Sequence, residues 1–284
     1  MNGLVVIDKP AGGTSRDAVN CLQRTLGRGM KLGHTGTLDP LATGVLVVCV
    51  GHATRLADYV QAMGKSYSAT IRLGATSTTD DADGDVTLRE EIEPIDRKTV
   101  DAALTNFRGA IEQLPPQYSA ILVNGVRAHE LARGGADFAL KPRPVTVHRL
   151  EVIEYAWPNL HLEIDCSKGT YIRSIARDLG ATLGCGGYIT ALRRTSVGPF
   201  LVEQGIYPTA DRRLIASRMY PMTTALGAMP LRTMTGEERI RINRGQKIAG
   251  TETGRVGLVA AGGDLAALAE GDGAELQPVL VFAG

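Results

Sequence analysis

The stretch Lys31 to Gly51, KLGHTGTLDPLATGVLVVCVG, constrains the fold more than any other part of the chain. Gly33, Gly36 and Gly44 admit backbone conformations closed to other residues, and Pro40 fixes φ directly after Asp39. The segment therefore reads as a rigid loop, neither helix nor strand. The apolar run Val45 to Val50 follows at once and reads as a buried strand. A lone carboxylate thus stands at the mouth of a core element, on the kind of stiff loop that carries sites. Asp before Pro also starts ordinary turns, so spacing alone leaves a structural role open.

The flanking sequence supplies elements for that loop to join. Leu4 to Asp8 reads as a short buried strand broken by Lys9-Pro10-Ala11-Gly12-Gly13. Lys9 reads equally as an exposed strand-end lysine or as a functional one. Thr14 or Ser15 caps a helix running to about Leu26, with Val19 and Leu22 inward. Ala53 to Met63 has helical spacing. Lys65 to Leu73 alternates like a strand with Tyr67, Ala69, Ile71 and Leu73 on one side, which makes Tyr67 a core residue with its hydroxyl at the edge. Thr99 to Phe107 reads as an amphipathic helix, Ile121 to Arg127 as a hairpin turning at Asn124-Gly125, and Ala128 to Arg133 as a short helix.

From Lys141 a long strand runs out and returns as Leu160 to Cys166. Gly169 then turns the chain and Thr170 caps a helix from Tyr171 to Leu183. That helix buries Ile172, Ile175, Ala176 and Leu179 and sets Arg173 and Arg177 on one face. Tyr207 to Leu226 reads as a helical connector. Met229 to Gly284 holds short apolar runs separated by glycines, consistent with a small β-rich domain. The pattern alone supports an α+β class, with a larger unit over 1–226 and a smaller one over 227–284.

Charge is informative in its distribution. The chain of 284 residues has 31 Lys and Arg against 30 acids, so its net charge of +1 carries no global sign of nucleic-acid binding. Asp80 to Asp101, including Glu90 and Glu91, holds nine acids and three bases, a local −6 that leaves +7 on the remainder. A basic face is therefore available, with Arg127, Arg133, Lys141, Arg143 and Arg149 as candidates for contacts to phosphates. The acidic stretch itself lacks the bidentate glutamate and flanking helices of a calcium loop. Cys21, Cys49, Cys166 and Cys185 are scattered in apolar surroundings without a CxxC pair and read as buried free thiols. With no targeting segment and no run long enough to cross a membrane, the reading is cytoplasmic, with no membrane association.

Two strings go further than pattern. GHTGTLDPLATGVL, residues 33–46, closely resembles the signature loop of the bacterial TruB family of tRNA pseudouridine synthases, and CSKGTYIRSIARDLG, residues 166–180, is similar to that family's KGTYIR motif. The DKP stretch at Asp8 to Pro10, the KxY at Lys65 to Tyr67 and the run YITALRRTSVGPF from Tyr188 match further motifs, so the resemblance covers residues 3 to 202. It implies a pseudouridine synthase catalytic domain, a mixed and largely antiparallel sheet flanked by helices, with a PUA-like C-terminal domain. It also implies isomerisation of uridine 55 in the T-arm stem-loop of tRNA, with Asp39 catalytic and Arg173 paired to it. Tyr67 stacks on the target base, Tyr171 lies under the nucleotide, Leu192 packs in the pocket, and His34 fills the gap or holds flipped nucleotides, although by its residue type alone His34 reads equally as a loop histidine making a local hydrogen bond. Lys9 supports the active-site loop. The chain departs from the family at Leu122, where Lys is common, and at His129, where Tyr is common, which puts RNA contacts there in doubt.

The implied chemistry breaks the N1 glycosidic bond, rotates the base and rejoins it through C5. It requires no metal and no cofactor, and an ionised carboxylate held charged by a guanidinium such as Arg173 suits it as a nucleophile or as a base at the ribose. The expected working form is a monomer acting on tRNA without an obligate protein partner. Other classes use fewer of these residues. A tRNA-binding folding factor, in which binding matters more than catalysis, uses the same RNA-contacting groups. A hydrolase built on Asp39, His34 and a serine such as Ser66 or Ser15 lacks a GxSxG elbow. Relatives of such catalytic domains act inside guide-RNA complexes, and only an assay on bare tRNA separates the two settings.

Overall fold

The run after the glycine loop is the spine of the molecule. The structure, a computed structural model, describes residues 1–89 and 92–282; Glu90 and Glu91, counted in the acidic stretch, lie outside the described residues. Strand β1 (Gly3–Lys9) leads into helix α1 (Ser15–Leu26), then β2 (Leu32–His34), β3 (Thr43–Val50), α2 (Ala57–Gln61) and β4 (Lys65–Leu73). There follow β5 (Ala75–Ser77), β6 (Val86–Leu88), α3 (Arg97–Leu104), β7 (Gly109–Gln113), β8 (Leu122–Val123), β9 (Val126–Arg127) and α4 (Ala128–Arg133). The larger unit closes with β10 (Arg143–Ala156), β11 (Asn159–Cys166), α5 (Ile172–Thr182), β12 (Gly187–Val197), β13 (Phe200–Leu201) and α6 (Arg212–Ser217).

Among the described residues a nine-stranded sheet runs β1-β3-β12-β4-β11-β10-β7, with β2 added to β3 and β13 to β12. Every pairing is antiparallel except β12 with β3, where Arg193 and Arg194 lie beside Thr43 and Gly44. The sheet is thus mixed and largely antiparallel. β3 is buried from Gly44 to Val50 because it has neighbours on both edges and apolar layers on both faces, which is what an unbroken apolar run requires. One face carries α1 and α5: Val19, Leu22, Ile175 and Leu179 join Ile7, Leu46, Ile71 and Ile164 in a single core.

Local chemistry explains most boundaries. Thr14, not Ser15, caps α1 in a reciprocal box with Asp17. Asn124 and Gly125, with φ of 51° and 85°, turn the β8–β9 hairpin as its Asn-Gly pair demands. Other expectations need correcting. The 53–63 segment is a 3₁₀ turn over Gly51–Leu56 followed by the short α2. The connector 207–226 keeps only α6 and a 3₁₀ turn at Met222–Leu226, because Pro208 and Pro221 interrupt it.

The C-terminal segment forms β14 (Leu231–Thr233), α7 (Gly236–Asn243), β15 (Ile248–Ala249), β16 (Thr253–Val259), β17 (Leu265–Asp272) and β18 (Glu275–Val281), with strand order β14-β16-β17-β18-β15. It has its own core around Leu258, Ala267 and Leu276. It also closes the second face of the large sheet, where Val259, Leu268 and Phe282 meet Leu4, Val47 and Leu56. No described helix is long and apolar enough to cross a membrane.

Candidate active site

The glycine loop is held from three sides. Gly36 and Gly44 take φ of 121° and 97°, as a left-handed turn requires, and a Cβ at Gly44 would lie 2.2 Å from the Arg194 carbonyl oxygen. Gly33 sits in β2 and does not use that freedom. Ser15, at the start of α1, donates from Oγ to the Leu38 carbonyl and accepts from the Leu38 amide. Lys9 is 1% exposed, which rules out a solvent-facing role, and its ammonium donates to the carbonyls of Pro10, Pro40 and Ala42. Arg194, equally buried, donates from Nε to the Val45 carbonyl and from Nη2 to that of Gly36. Two cations thus satisfy the loop's inward carbonyls, and Asp39 is left on the open side, its side chain one-third exposed.

Opposite it stands Arg173, the second residue of α5 and 4% exposed. Its Nη2 donates to Asp39 Oδ1 at 3.1 Å, and Nε lies 2.9 Å from Oδ2, close enough for charge pairing but out of line for a hydrogen bond. Nη1 donates to the Thr79 carbonyl and Nη2 also to that of Tyr118. Asp81 is also drawn in, with Oδ2 3.5 Å from Arg173 Nε; burial pushes its carboxyl up, while the Thr79 hydroxyl and Arg173 pull back. The acidic TSTTDDADGD loop, pinned by the β5–β6 pair, therefore serves as the far support of the guanidinium.

Asp39 and Arg173 open onto a cleft of about 660 Å³ whose walls include Tyr67, Tyr171, Leu192 and Lys65. Tyr67, 7% exposed, belongs both to the core and to the cleft wall, and burial raises its phenol. Burial likewise raises the Tyr171 phenol. Lys65 crosses the floor with its ammonium on the carbonyls of Gln61 and Met63, and burial brings its pKa down to about 8. His34 is not part of this wall. It pairs with Val48 on β2, and burial, then Arg16 and Arg194, lower its pKa, so the ring is held neutral. Thr170 does not cap α5: its hydroxyl donates to the Ser167 carbonyl, and the Tyr171 amide is met by Gln113 Oε1.

Sequence reasoning missed Arg194, Lys65, Asp81 and Gln113. Arg194 and Lys65 lie within motif strings, but nothing in their spacing marks them as buried. Asp81 stands among exposed acids and looks like one of them. Of the proposed phosphate-binding cations, Arg149 is engaged by Asp165, Glu151 and Glu163 and so is no free cation, whereas Arg143 lies on the cleft rim. Cys49, Cys166 and Cys185 are buried, and burial pushes the Cys49 thiol up to about 12, which keeps it inert.

Comparison with known proteins gives a consistent result. Residues 23–172 match the TruB family pseudouridylate synthase N-terminal domain, and residues 173–213 match the tRNA pseudouridylate synthase B C-terminal domain. The chain is 46% identical over 293 residues to the tRNA pseudouridine synthase B of Thermobifida fusca, covering 100% of this chain and 99% of that protein. It is 41% identical over 300 residues to the protein of the same name from an Arthrobacter species, covering 100% and 97%. Among solved structures, an H/ACA RNP bound to a substrate RNA containing 2'-deoxyuridine superposes with a TM-score of 0.73 over 99% of this chain and 85% of that one, at 23% identity. A Cbf5-Nop10-Gar1 complex does so with the same score at 24% identity, over 99% and 84%. At that identity the structural likeness speaks for the fold.

Proposed function

The chain belongs to the TruB family of pseudouridylate synthases, and from that premise we propose that it isomerises uridine 55 in the T-arm loop of tRNA, with Asp39 as the catalytic residue. The carrying observation is the Asp39–Arg173 pair, a carboxylate one-third exposed on a cleft and gripped from behind by a buried guanidinium. The arrangement is built to keep a charged oxygen aimed at whatever fills the cleft.

In this reading the N1–C1′ bond of the uridine breaks, the base turns, and a C5–C1′ bond forms. The proton lost from C5 is balanced by the one gained at N1, so the reaction is an isomerisation without net exchange. Asp39 acts on the ribose, as nucleophile or as base. Tyr67 offers an aromatic face to the extruded base, Leu192 packs against it, and Tyr171 walls the nucleotide. Extrusion costs about a few kcal/mol, and stacking on an aromatic returns about 1–3 kcal/mol per base. A neutral His34 ring suits insertion into the gap that the flipped nucleotides leave. Residues 227–284 are assigned here to the PUA-like domain, and the working unit to a monomer on bare tRNA.

The test is an assay of the purified chain on an unmodified tRNA transcript. Wild type should form pseudouridine at position 55 with no added protein or guide RNA. Asp39→Asn should bind the transcript and form none. Turnover by that variant at the wild-type rate ends the catalytic assignment, and dependence on added components ends the stand-alone one.

A further inference from the structure

Strand β7 ends at Gln113, at the sheet edge with its backbone opposite Arg143 of β10. Its side chain is 3% exposed and crosses to the first turn of α5. There Oε1 accepts from the Tyr171 amide at 2.8 Å and Nε2 donates to the Tyr171 carbonyl at 3.0 Å. One planar amide thus grips both polar groups of a single backbone residue, 58 positions away in sequence. No side chain of α5 caps its own N-terminus, so the Tyr171 amide would otherwise be an orphan donor. The bond from the Ile175 amide to the same Tyr171 carbonyl is long, 3.3 Å, leaving Gln113 the shorter contact.

The segment that follows straps the same helix. The Leu114 carbonyl accepts from Ser174 Oγ and Arg177 Nη2, and the Tyr118 carbonyl accepts from Arg173. Gln113 differs from these because it holds the residue that starts the helix, two positions before the guanidinium that meets Asp39. A rotation of that first turn moves the Tyr171 ring and the Arg173 fork together. An error of about 1 Å in such a fork is enough to cost two orders of magnitude in rate.

We infer that Gln113 is a positioning residue for the pseudouridylate synthase reaction, setting through the Tyr171 backbone where Arg173 and Tyr171 stand relative to Asp39. The inference rests on the roles proposed above for those three residues. It assigns Gln113 no contact with the RNA.

A carboxyl group in place of the amide makes the inference testable, because only its protonated form reproduces both bonds. In Gln113→Glu the neutral acid gives a carbonyl to the Tyr171 amide and an O–H to the Tyr171 carbonyl. Once ionised it has no proton for the second, and two oxygens repel at that contact. Burial raises the pKa of such a group toward neutrality.

Single-turnover rates and tRNA affinity would be measured for wild type, Gln113→Ala and Gln113→Glu between about pH 6 and pH 8, the range in which a buried carboxyl titrates. Gln113→Ala should lose roughly ten- to a hundredfold in rate with tRNA affinity near wild type. The ratio of Gln113→Glu to wild type should climb as pH falls, while that of Gln113→Ala stays flat. Should Gln113→Ala fail to fold, the climb of the Gln113→Glu ratio decides alone. A wild-type rate in Gln113→Ala, a loss confined to affinity, or a Gln113→Glu ratio independent of pH overturns the inference. Asp39→Asn run alongside keeps the two claims apart: full turnover there removes the underlying reading, whereas an inactive Asp39→Asn beside an indifferent Gln113 removes only this one.

Discussion

In the larger unit Lys9 on β1, Arg173 on α5 and Arg194 on β12 are 1%, 4% and 2% exposed, whereas in the C-terminal segment Lys247 and Arg255 stand about half exposed beside Glu275 and Glu270. The buried three direct most of their donors at main-chain carbonyls, those of Pro40 and Ala42, of Gly36 and of Val45 on β3, and of Thr79 and Tyr118. The exposed two meet side chains, those of Glu275, Glu270 and Tyr59. Desolvating a cation is costly, and it persists in a fold only where fixed partners use its donors. A cation so held removes freedom from the loops it touches. Exposed pairs are screened and leave the backbone as mobile as before. The large sheet and its helices therefore hold loops in a preformed arrangement around Asp39, and the C-terminal segment contributes an apolar surface that docks on that sheet.

The sharpest way to break that contrast is Arg173→Lys. A single ammonium cannot span Asp39, Thr79 and Tyr118, so turnover should fall by roughly a hundredfold or more while tRNA binding persists. A Lys variant as fast as wild type would mean that charge alone suffices. Lys9→Met comes next. It removes the ammonium donor from the Pro10 and Ala42 carbonyls, leaves the Pro40 carbonyl only the Gly12 amide, and should lower unfolding free energy by about 2–4 kcal/mol, read as a shift of the urea midpoint. A midpoint unchanged by the substitution would show the loop to be stiff without its buried cation.

Lys65 gives a subtler handle. Its pKa is about 8 in the fold against an ordinary 10.5, so between those values the unfolded chain holds more protons than the native one. The burial penalty is fully present below pH 8 and is relieved as pH rises from about 8 to about 10.5, so Lys65 makes stability climb across that window. Lys65→Met should remove this contribution, seen as a flatter difference curve of melting temperature against pH. The smallest effect belongs to the C-terminal sheet. Lys247→Ala should leave both the melting temperature and turnover at wild-type values, and a clear loss of either would place that exposed pair with the buried cations.

How far the site was legible depended on the range of the force involved. Asp39 was marked by its glycine and proline neighbours, the β8–β9 turn by Asn124-Gly125, and the inward face of α5 by Ile172, Ile175 and Leu179. Each signal acts within a few residues. Thr170 was misread as a cap because its hydroxyl finds the Ser167 carbonyl while a glutamine from another strand takes the amide. For Lys9 the sequence left an exposed and a functional reading equally open, because only the return of Pro40 and Ala42 encloses it.

By itself the sequence determined a rigid acid-bearing loop ahead of a buried strand, a helix presenting Arg173, and membership of one enzyme family. Tertiary structure alone decided that Asp39 and Arg173, 134 positions apart, share a hydrogen bond, that Asp81 lies behind them, and that Gln113 reaches Tyr171. The reason is that turn chemistry and periodicity are local, whereas the partner of a buried guanidinium or amide is set by which strands lie side by side and in what register.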